Sequence, residues 1–318
     1  MLTAIGRAGV LGINRRNGDF VMRYNKRSLY PLVDDKLITK KLAQENGIPV
    51  PQLFGSLDTP RDIPSLNDLV AQQQSFVVKP SHGSGGDGIV VIDSHRGQRF
   101  WTCGGSVLLW AELAHHLENT LGGQYSLGGH PDRVMVEYRV KFDPMFNPVS
   151  YLGVPDIRII VFLGFPVMAM LRLPTRRSGG KANLHQGAVG AGIDIAYGKT
   201  VHGVIGNNST DEHPDTGAAI GGLEVPYWQQ MLSIAARCYE MTGLGYLGVD
   251  LVLDEHLGPL MLELNARPGL NIQIANAAGL LPRLEYVQQH AEPALLPEDR
   301  VAWIQSLVND RTAGWQSG

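Results

Sequence analysis

The stretch that most constrains this chain is residues 246–269, which contain Asp250, Glu263, Asn265 and Arg267 in an otherwise apolar setting. Two alternating, largely apolar runs flank the polar turn Asp254-Glu255-His256-Leu257-Gly258, the pattern of a β-hairpin. Folded on that turn, Asp250 lands opposite Glu263, and Asn265, two residues on, shares the face of Glu263. Like charges directly opposite one another are unfavourable, so the pair requires a compensating group. Oxygen donors without His or Cys suit Mg²⁺, a metal commonly shared with nucleotide phosphates. A solvated strand face is the plainer alternative, and the greasy flanking residues argue against it.

Composition narrows the rest. A chain of 318 residues with 44% hydrophobic and 18% charged residues has ample core for one large domain or several subdomains. A formal charge of −3 gives no general attraction to nucleic acid. Two cysteines, Cys103 and Cys238, make neither a disulfide framework nor a zinc spacing. With no secretory pattern in residues 1–20, this predicts a cytoplasmic protein. The greasiest run, 157–173, is broken by Arg158, Gly164, Pro166 and Arg172. It reads as two buried strands joined at 164–166 rather than a membrane span, which leaves room for a membrane-associated partner.

Along the chain, residues 1–30 read as a basic, irregular lead-in. Helices are expected over 36–46, 65–74 (with Ser65 as cap), 106–121, 227–242, 281–290 and 301–308. Strands are expected over 75–79, 89–92 and 133–140, with a Gly-rich segment at 178–192, short strands to about 205 and an exposed loop at 206–222. The rhythm is α+β with largely antiparallel sheets.

The second strong signal is Phe76-Val-Val-Lys79-Pro80-Ser-His-Gly83-Ser84-Gly85-Gly86-Asp-Gly88-Ile-Val-Val. Gly83, Gly85 and Gly88 match G-x-G-x-x-G, but a strand follows where a dinucleotide fold needs a helix. The position about 20 residues on is apolar rather than acidic. Kinases place their lysine after the loop, whereas Lys79 precedes it, and no H-R-D or D-F-G is present. Walker A fails because residue 193 is isoleucine. A strand–glycine loop–strand is a flap whose N–H groups can cover phosphates. Lys79, at the end of an apolar strand, should meet an anion there. A flexible hairpin with a snorkelling lysine is the alternative.

Together these pieces resemble the ATP-grasp superfamily of carboxylate–amine ligases. The series Asp34-Asp-Lys36, Gly47-Ile-Pro-Val-Pro51, Val77-Val-Lys79-Pro80 with its loop, Val136-Glu137-Tyr138, and Asp250/Glu263/Asn265 runs in that order over about residues 31–290. Asp156-Ile-Arg158, Asn183-Leu-His185 and Leu262-Glu-Leu-Asn-Ala-Arg-Pro-Gly269 look most like the RimK group of α-L-glutamate ligases. The resemblance implies an ATP-grasp fold of two α+β subdomains clamping ATP, at 31–135 and 136–290. A short lead-in at 1–30 and a helical tail at 291–318 would flank them, with the usual N-terminal substrate domain reduced.

It further implies that Lys36 and Lys79, with Gly83, Ser84, Gly85 and Gly86, bind ATP phosphates. Glu137 and Tyr138 would sit at the adenine hinge. Asp156, Lys181, Ala182 and Asn183 would contact nucleotide, with Asp143 a competitor for the role of Asp156. Asp250, Glu263 and Asn265 would hold one or two Mg²⁺, for which Mn²⁺ could substitute. Arg158, Arg172 and Arg267 are the candidates for guiding a carboxylate or stabilising an acyl phosphate, because guanidinium forks match both groups, with a structural ion pair the alternative for Arg158 and a cap on the following helix the alternative for Arg267. Apart from the resemblance, Arg176, Arg177 and Lys181 with Gly179-Gly180 read as a mobile basic loop for an acidic substrate, or as an ordinary solvated loop.

The expected activity is ATP- and Mg²⁺-dependent amide formation between an amino-acid or peptide carboxylate and an amine, glutamate among the candidates, by a homo-oligomer. An ATP-grasp phosphotransferase, an enzyme activating a sugar-linked or envelope-linked carboxylate, and a non-catalytic nucleotide-binding regulator remain as alternatives.

Overall fold

The computed structural model describes residues 9–83, 85–126, 128–292 and 294–309. The chain divides into two compact units. The first comprises Met1–Asp34, Leu42–Pro49 and Phe142–Gly318; the second comprises Asp35–Lys41 and Val50–Lys141. Every strand pair among the described residues is antiparallel, as the alternating patterns predict.

The second unit is built on a six-stranded sheet in the order β1-β6-β2-β3-β4-β5. Its strands are β1 (Leu53–Leu57), β2 (Phe76–Pro80), β3 (Val90–Arg96), β4 (Arg99–Thr102), β5 (Val107–Leu109) and β6 (Val134–Tyr138). Phe76, Val78, Ile92, Phe100 and Val136 point into a core closed by Leu113 and Leu117 of the helix Trp110–Leu121. That helix begins later than the apolar pattern suggested. Residues 107–109 pair with β4 instead, and Glu112 caps the helix by accepting the Leu109 N–H at 2.7 Å.

The helix expected over 65–74 is also corrected. The chain forms a 3₁₀ turn, Pro60–Ser65, and only one α-turn, Leu66–Leu69. Proline at 60 and 64 favours short 3₁₀ geometry, and the cap is Thr59 rather than Ser65, with Asp62 reaching back to accept the Thr59 N–H at 2.8 Å.

The first unit carries a seven-stranded sheet in the order β11-β10-β9-β8-β7-β12-β13. These are β7 (Asp156–Phe162), β8 (Phe165–Leu173), β9 (Val189–Asp194), β10 (Lys199–Ile205), β11 (Asn208–Thr210), β12 (Tyr246–Asp254) and β13 (Gly258–Asn265). Strands β7 and β12 are buried at every position, which is why their sequences are nearly continuous runs of branched apolar residues. The helix Trp228–Thr242 buries Met231, Leu232, Ala235 and Cys238, and the helix Pro297–Asn309 contributes Val301 and Ile304 to the core. The turn between β7 and β8 is Leu163-Gly164, both with positive φ, so Phe165 and Pro166 already belong to β8.

Two loop expectations also change. Part of the Gly-rich 178–192 segment is the buried strand β9, where a Cβ on Gly192 would lie 2.4 Å from the Ala275 carbonyl oxygen. The 206–222 segment is not simply exposed: β11 pairs with β10, and His213 and Ile220 are buried.

The lead-in is not irregular. Ile13–Arg15, Arg16–Val21 and Met22–Tyr24 form one helical stretch with a π-turn at its centre. Phe20 packs edge-on against Phe162 at 5.5 Å between ring centroids. Asn25 donates to the carbonyls of Tyr246 (2.8 Å) and Ala266 (3.2 Å) and accepts the Tyr246 N–H (2.8 Å). Arg16 donates to the Pro268 carbonyl at 2.9 Å. The segment fixes the open end of the hairpin, where β12 begins and the chain leaves β13.

Candidate active site

In the first unit, Asp250 pairs directly with Glu263 across β12 and β13. The register shifts by one between Asp250 and Leu251, so Leu262 is the extra residue of a β-bulge. Without that bulge Glu263 would lie one residue out of phase and face the opposite side of the sheet. Asn265 is opposite Gly248, on the face of Glu263, and a Cβ on Gly248 would lie 2.7 Å from Pro268.

On the other side of β12, Asp250 is in register with Arg158 of β7, and Asp156 of β7 is in register with Arg172 of β8. Arg158 forms a fork onto Asp250, Nε to Oδ1 at 2.7 Å and Nη2 to Oδ2 at 2.5 Å. Arg172 donates Nη2 to Asp156 Oδ2 at 2.6 Å and to Asp250 Oδ2 at 2.5 Å, and its Nε binds Asp156 Oδ1. Asp250 is 1% exposed, so the full network sits in a low dielectric. Burial pushes the Asp250 carboxyl up, but Arg158 and Arg172 outweigh it and hold it well below the usual carboxylate range. For Asp156, burial and the neighbouring Asp250 charge prevail over Arg172 and hold it above that range.

The oxygen donors on this face are of the type a divalent cation takes, two carboxylates and an amide; among the described residues no three His, Cys, Asp or Glu side chains are grouped to hold a metal. The two guanidiniums hydrogen-bond Asp250 and Asp156, and Glu263 faces Asp250 from the neighbouring strand. Asp250 Oδ1 accepts one of the bonds, Arg158 Nε, and an ionised oxygen can take a second partner. Glu263 and Asn265 are half-buried oxygen donors of the kind Mg²⁺ takes. Asn265 Oδ1 also accepts the Arg267 N–H at 2.9 Å.

The other residues of this unit are distributed around that face. Arg267 is exposed, with its guanidinium carbon 5.2 Å from the centre of the Tyr30 ring, so it stands apart from the Arg158–Arg172 network. Asp143 caps the turn Pro144–Val149 by accepting the Met145 N–H at 2.9 Å, whereas Asp156 is committed to Arg172. Asn183 accepts the His185 N–H at 3.0 Å and opens the turn Leu184–Gln186. Lys181 and Ala182 are half-buried beside it. The basic segment before them is built rather than loose. Thr175 and Ser178 are buried and hydrogen-bond each other, Thr175 Oγ1 donates to the Gly187 carbonyl at 2.8 Å, and Arg176 stacks over Tyr151.

In the second unit, β2 and β3 pair as the predicted flap, with Val78 opposite Val90. Gly85, Gly86 and Gly88 have positive φ, and a Cβ on Gly88 would lie 2.6 Å from the Tyr125 ring. Ser84 lies outside the described residues. Lys36, at the start of the helix Lys36–Glu45, donates Nζ to the Gly83 carbonyl at 2.5 Å.

Lys79 Nζ lies 2.5 Å from Glu137 Oε1, a diagonal contact between β2 and β6. Glu137 thus turns its side chain to lysine, with its backbone in the middle of the sheet. The Tyr138 N–H donates to the Gln52 carbonyl at 2.8 Å. At the root of the flap, Asp35 accepts from Ser81 Oγ at 2.5 Å and pairs with Arg133, while Asp132 accepts the His82 N–H at 3.0 Å.

Sequence reasoning passed over Lys40, whose Nζ lies 2.7 Å from Glu137 Oε2. The available signal was its position four residues after Lys36, a like-charge spacing that an isolated helix disfavours. It read Arg16 and Asn25 only as parts of a basic, irregular lead-in, because their partners lie more than two hundred residues away.

Residues 15–289 match the family described as sugar-transfer associated ATP-grasp, and the chain belongs to that family. The ATP-grasp, RimK-like resemblance of its motifs is borne out. A protein of Ectopseudomonas mendocina named "Probable alpha-L-glutamate ligase" is 25% identical over 283 residues, which are 85% of this chain and 71% of that one. One of the same name from Pseudomonas putida is 24% identical with the same coverage. Among solved structures, the ATP-grasp ligase PsnB with its minimal precursor is 15% identical at a TM-score of 0.45, covering 88% of this chain. This chain spans 63% of PsnB, less than two thirds of its length. The D-alanine–D-alanine ligase of Bacillus anthracis, complexed with ATP, is 16% identical at a TM-score of 0.45, with 89% of this chain and 70% of that one covered. No helix among the described residues is long and apolar enough to cross a membrane.

Proposed function

We propose that this chain is an ATP- and Mg²⁺-dependent carboxylate–amine ligase. The observation that carries the reading is the bulged pairing of Asp250 with Glu263, with Asn265 on the same face and two arginines behind Asp250. Glu263 and Asn265, with the remaining capacity of Asp250, would hold Mg²⁺, which when bound supplies neutralisation of phosphate charge.

The chain's own residues do the positioning. Lys36 and Lys79, with the N–H groups of the flap, bind the phosphates of ATP. Arg158 and Arg172, fixed by two carboxylates, present rigid guanidinium charge to the carboxylate substrate. One substrate carboxylate oxygen attacks the γ-phosphorus, the bond to ADP breaks, and an acyl phosphate results. A neutral amine then attacks the acyl carbon, phosphate leaves, and the amine proton passes to solvent. Such chemistry needs charge compensation and alignment more than a protein nucleophile.

An amino acid, with glutamate first, is the substrate that the names of the curated relatives favour. The family description favours a second reading, in which one partner is a sugar-linked or envelope-linked carboxylate or amine. The test is ADP release with Mg²⁺–ATP over amino acids and amino or uronic sugars, singly and in pairs, with product masses recorded. Stimulated release and a new amide mass support the ligase. Phosphate transfer without an amide product rejects it.

A further inference from the structure

The second unit carries a charge arrangement that phosphate binding by Lys36 and Lys79 does not by itself explain. Glu137 lies between two lysines, 2.5 Å from Lys79 Nζ and 2.7 Å from Lys40 Nζ. All three side chains are at least nine-tenths buried. Lys40 also donates to the Pro51 carbonyl at 2.5 Å. It projects from the helix Lys36–Glu45 one turn after Lys36, whose own ammonium is directed to Gly83.

A Glu137–Lys79 pair alone would be neutral and would offer a phosphate little net attraction. A second lysine on the same carboxylate leaves the group with one net positive charge in a low dielectric. Burying net charge is unfavourable, and a bound anion relieves it. We propose that Lys40 is a positioning residue for nucleotide binding: by sharing Glu137 it leaves charge on Lys79 for the phosphates of a nucleoside triphosphate. The proposal rests on the ATP-binding part of the function above and not on its ligase chemistry.

The charged groups that face Lys40 are Glu137 from β6 and Lys79 from β2, with the Pro51 carbonyl ahead of β1. Burial, against the pull of Glu137 and with the help of Lys79, lowers the Lys40 ammonium to about 8. As pH rises through that value the trio loses its net charge, and phosphate affinity falls with it.

The experiment is calorimetric titration of the wild-type chain, K40M and K40R with ATP and with adenosine, from about pH 7 to about pH 9.5. K40M is expected to weaken ATP binding about tenfold near neutral pH and to leave adenosine unchanged, because the lost charge acts only on phosphate. The wild type should lose a similar factor by the alkaline end, while K40R, whose charge persists, should not. ATP binding by K40M equal to wild type overturns the role of Lys40 while leaving ATP binding itself intact. A wild-type affinity flat with pH, or a K40R that keeps the alkaline loss, also overturns it. If circular dichroism finds K40M unfolded, the contrast between wild type and K40R decides. Failure of the wild type to bind ATP at any pH removes the nucleotide reading, and this role with it.

Discussion

Asp250 and Glu263 face one another across β12 and β13 only because Leu262 is bulged out of the ladder. The bulge turns an apolar hairpin into a paired acidic site, and Arg158 and Arg172 make the buried half of that pair tolerable. Two like charges in register are unfavourable, and the guanidiniums of Arg158 and Arg172 compensate the buried Asp250.

Glu263→Gln keeps the shape of the side chain and removes its charge. Mg²⁺-dependent ADP release should fall on the order of a hundredfold while the melting temperature stays within a few degrees. Turnover at the wild-type level would rule out Glu263 as a metal ligand.

Arg158→Met strips the fork from a carboxylate that is 1% exposed. Removing one partner of a buried pair costs about 3 kcal/mol or more, and Arg172 offsets part of it. Urea denaturation should give a midpoint clearly below wild type. An unchanged midpoint would mean that Arg158 does not sustain Asp250.

Asn25→Ala removes three hydrogen bonds to the backbone of Tyr246 and Ala266. With the partners left buried, a loss of about 2–4 kcal/mol is expected. Hydrogen exchange at Tyr246 and Leu247 should speed up more than exchange in β9. Uniform behaviour of the two strands would show that the lead-in does not hold the hairpin.

Acid should destabilise the second unit through Glu137 and Asp35. Burial opposes their ionisation, but Lys79 and Lys40 for Glu137, and Ser81 and Arg133 for Asp35, prevail and lower both. A carboxyl lowered on folding adds stability above its unfolded value, near 4.5 for Glu137, and that stability is lost as pH falls toward the folded value. Thermal melts should therefore fall steeply below about pH 4.5, and less steeply in Glu137→Gln. Equal slopes in the two proteins would contradict the ion trio.

The sequence by itself determined the strands that carry most of the candidate site residues, β2, β6, β7, β8, β12 and β13. Alternation in 246–265 marked the hairpin, and the expected pairing of Asp250 with Glu263 is found, through a bulge at Leu262 that the alternation does not mark, while the apolar run 157–173 became β7 and β8. It also distinguished a flap from a dinucleotide loop, because Ile89-Val90-Val91 cannot start a phosphate-binding helix there. Local pattern carries such information because side-chain direction follows from the strand or helix period.

Only the tertiary structure decided what those faces meet. Arg172 reaches across β7 to Asp250, Lys40 joins Glu137 through a pairing 97 residues apart, and Asn25 grips a strand 221 residues away. Helix ends moved as well, where Pro64 and the β4 edge outweighed local helical preference. The physical reason is the same in each case. A buried charge or amide is satisfied by whichever partner the packed chain brings within about 3 Å, and that partner leaves no periodic mark in the sequence around it.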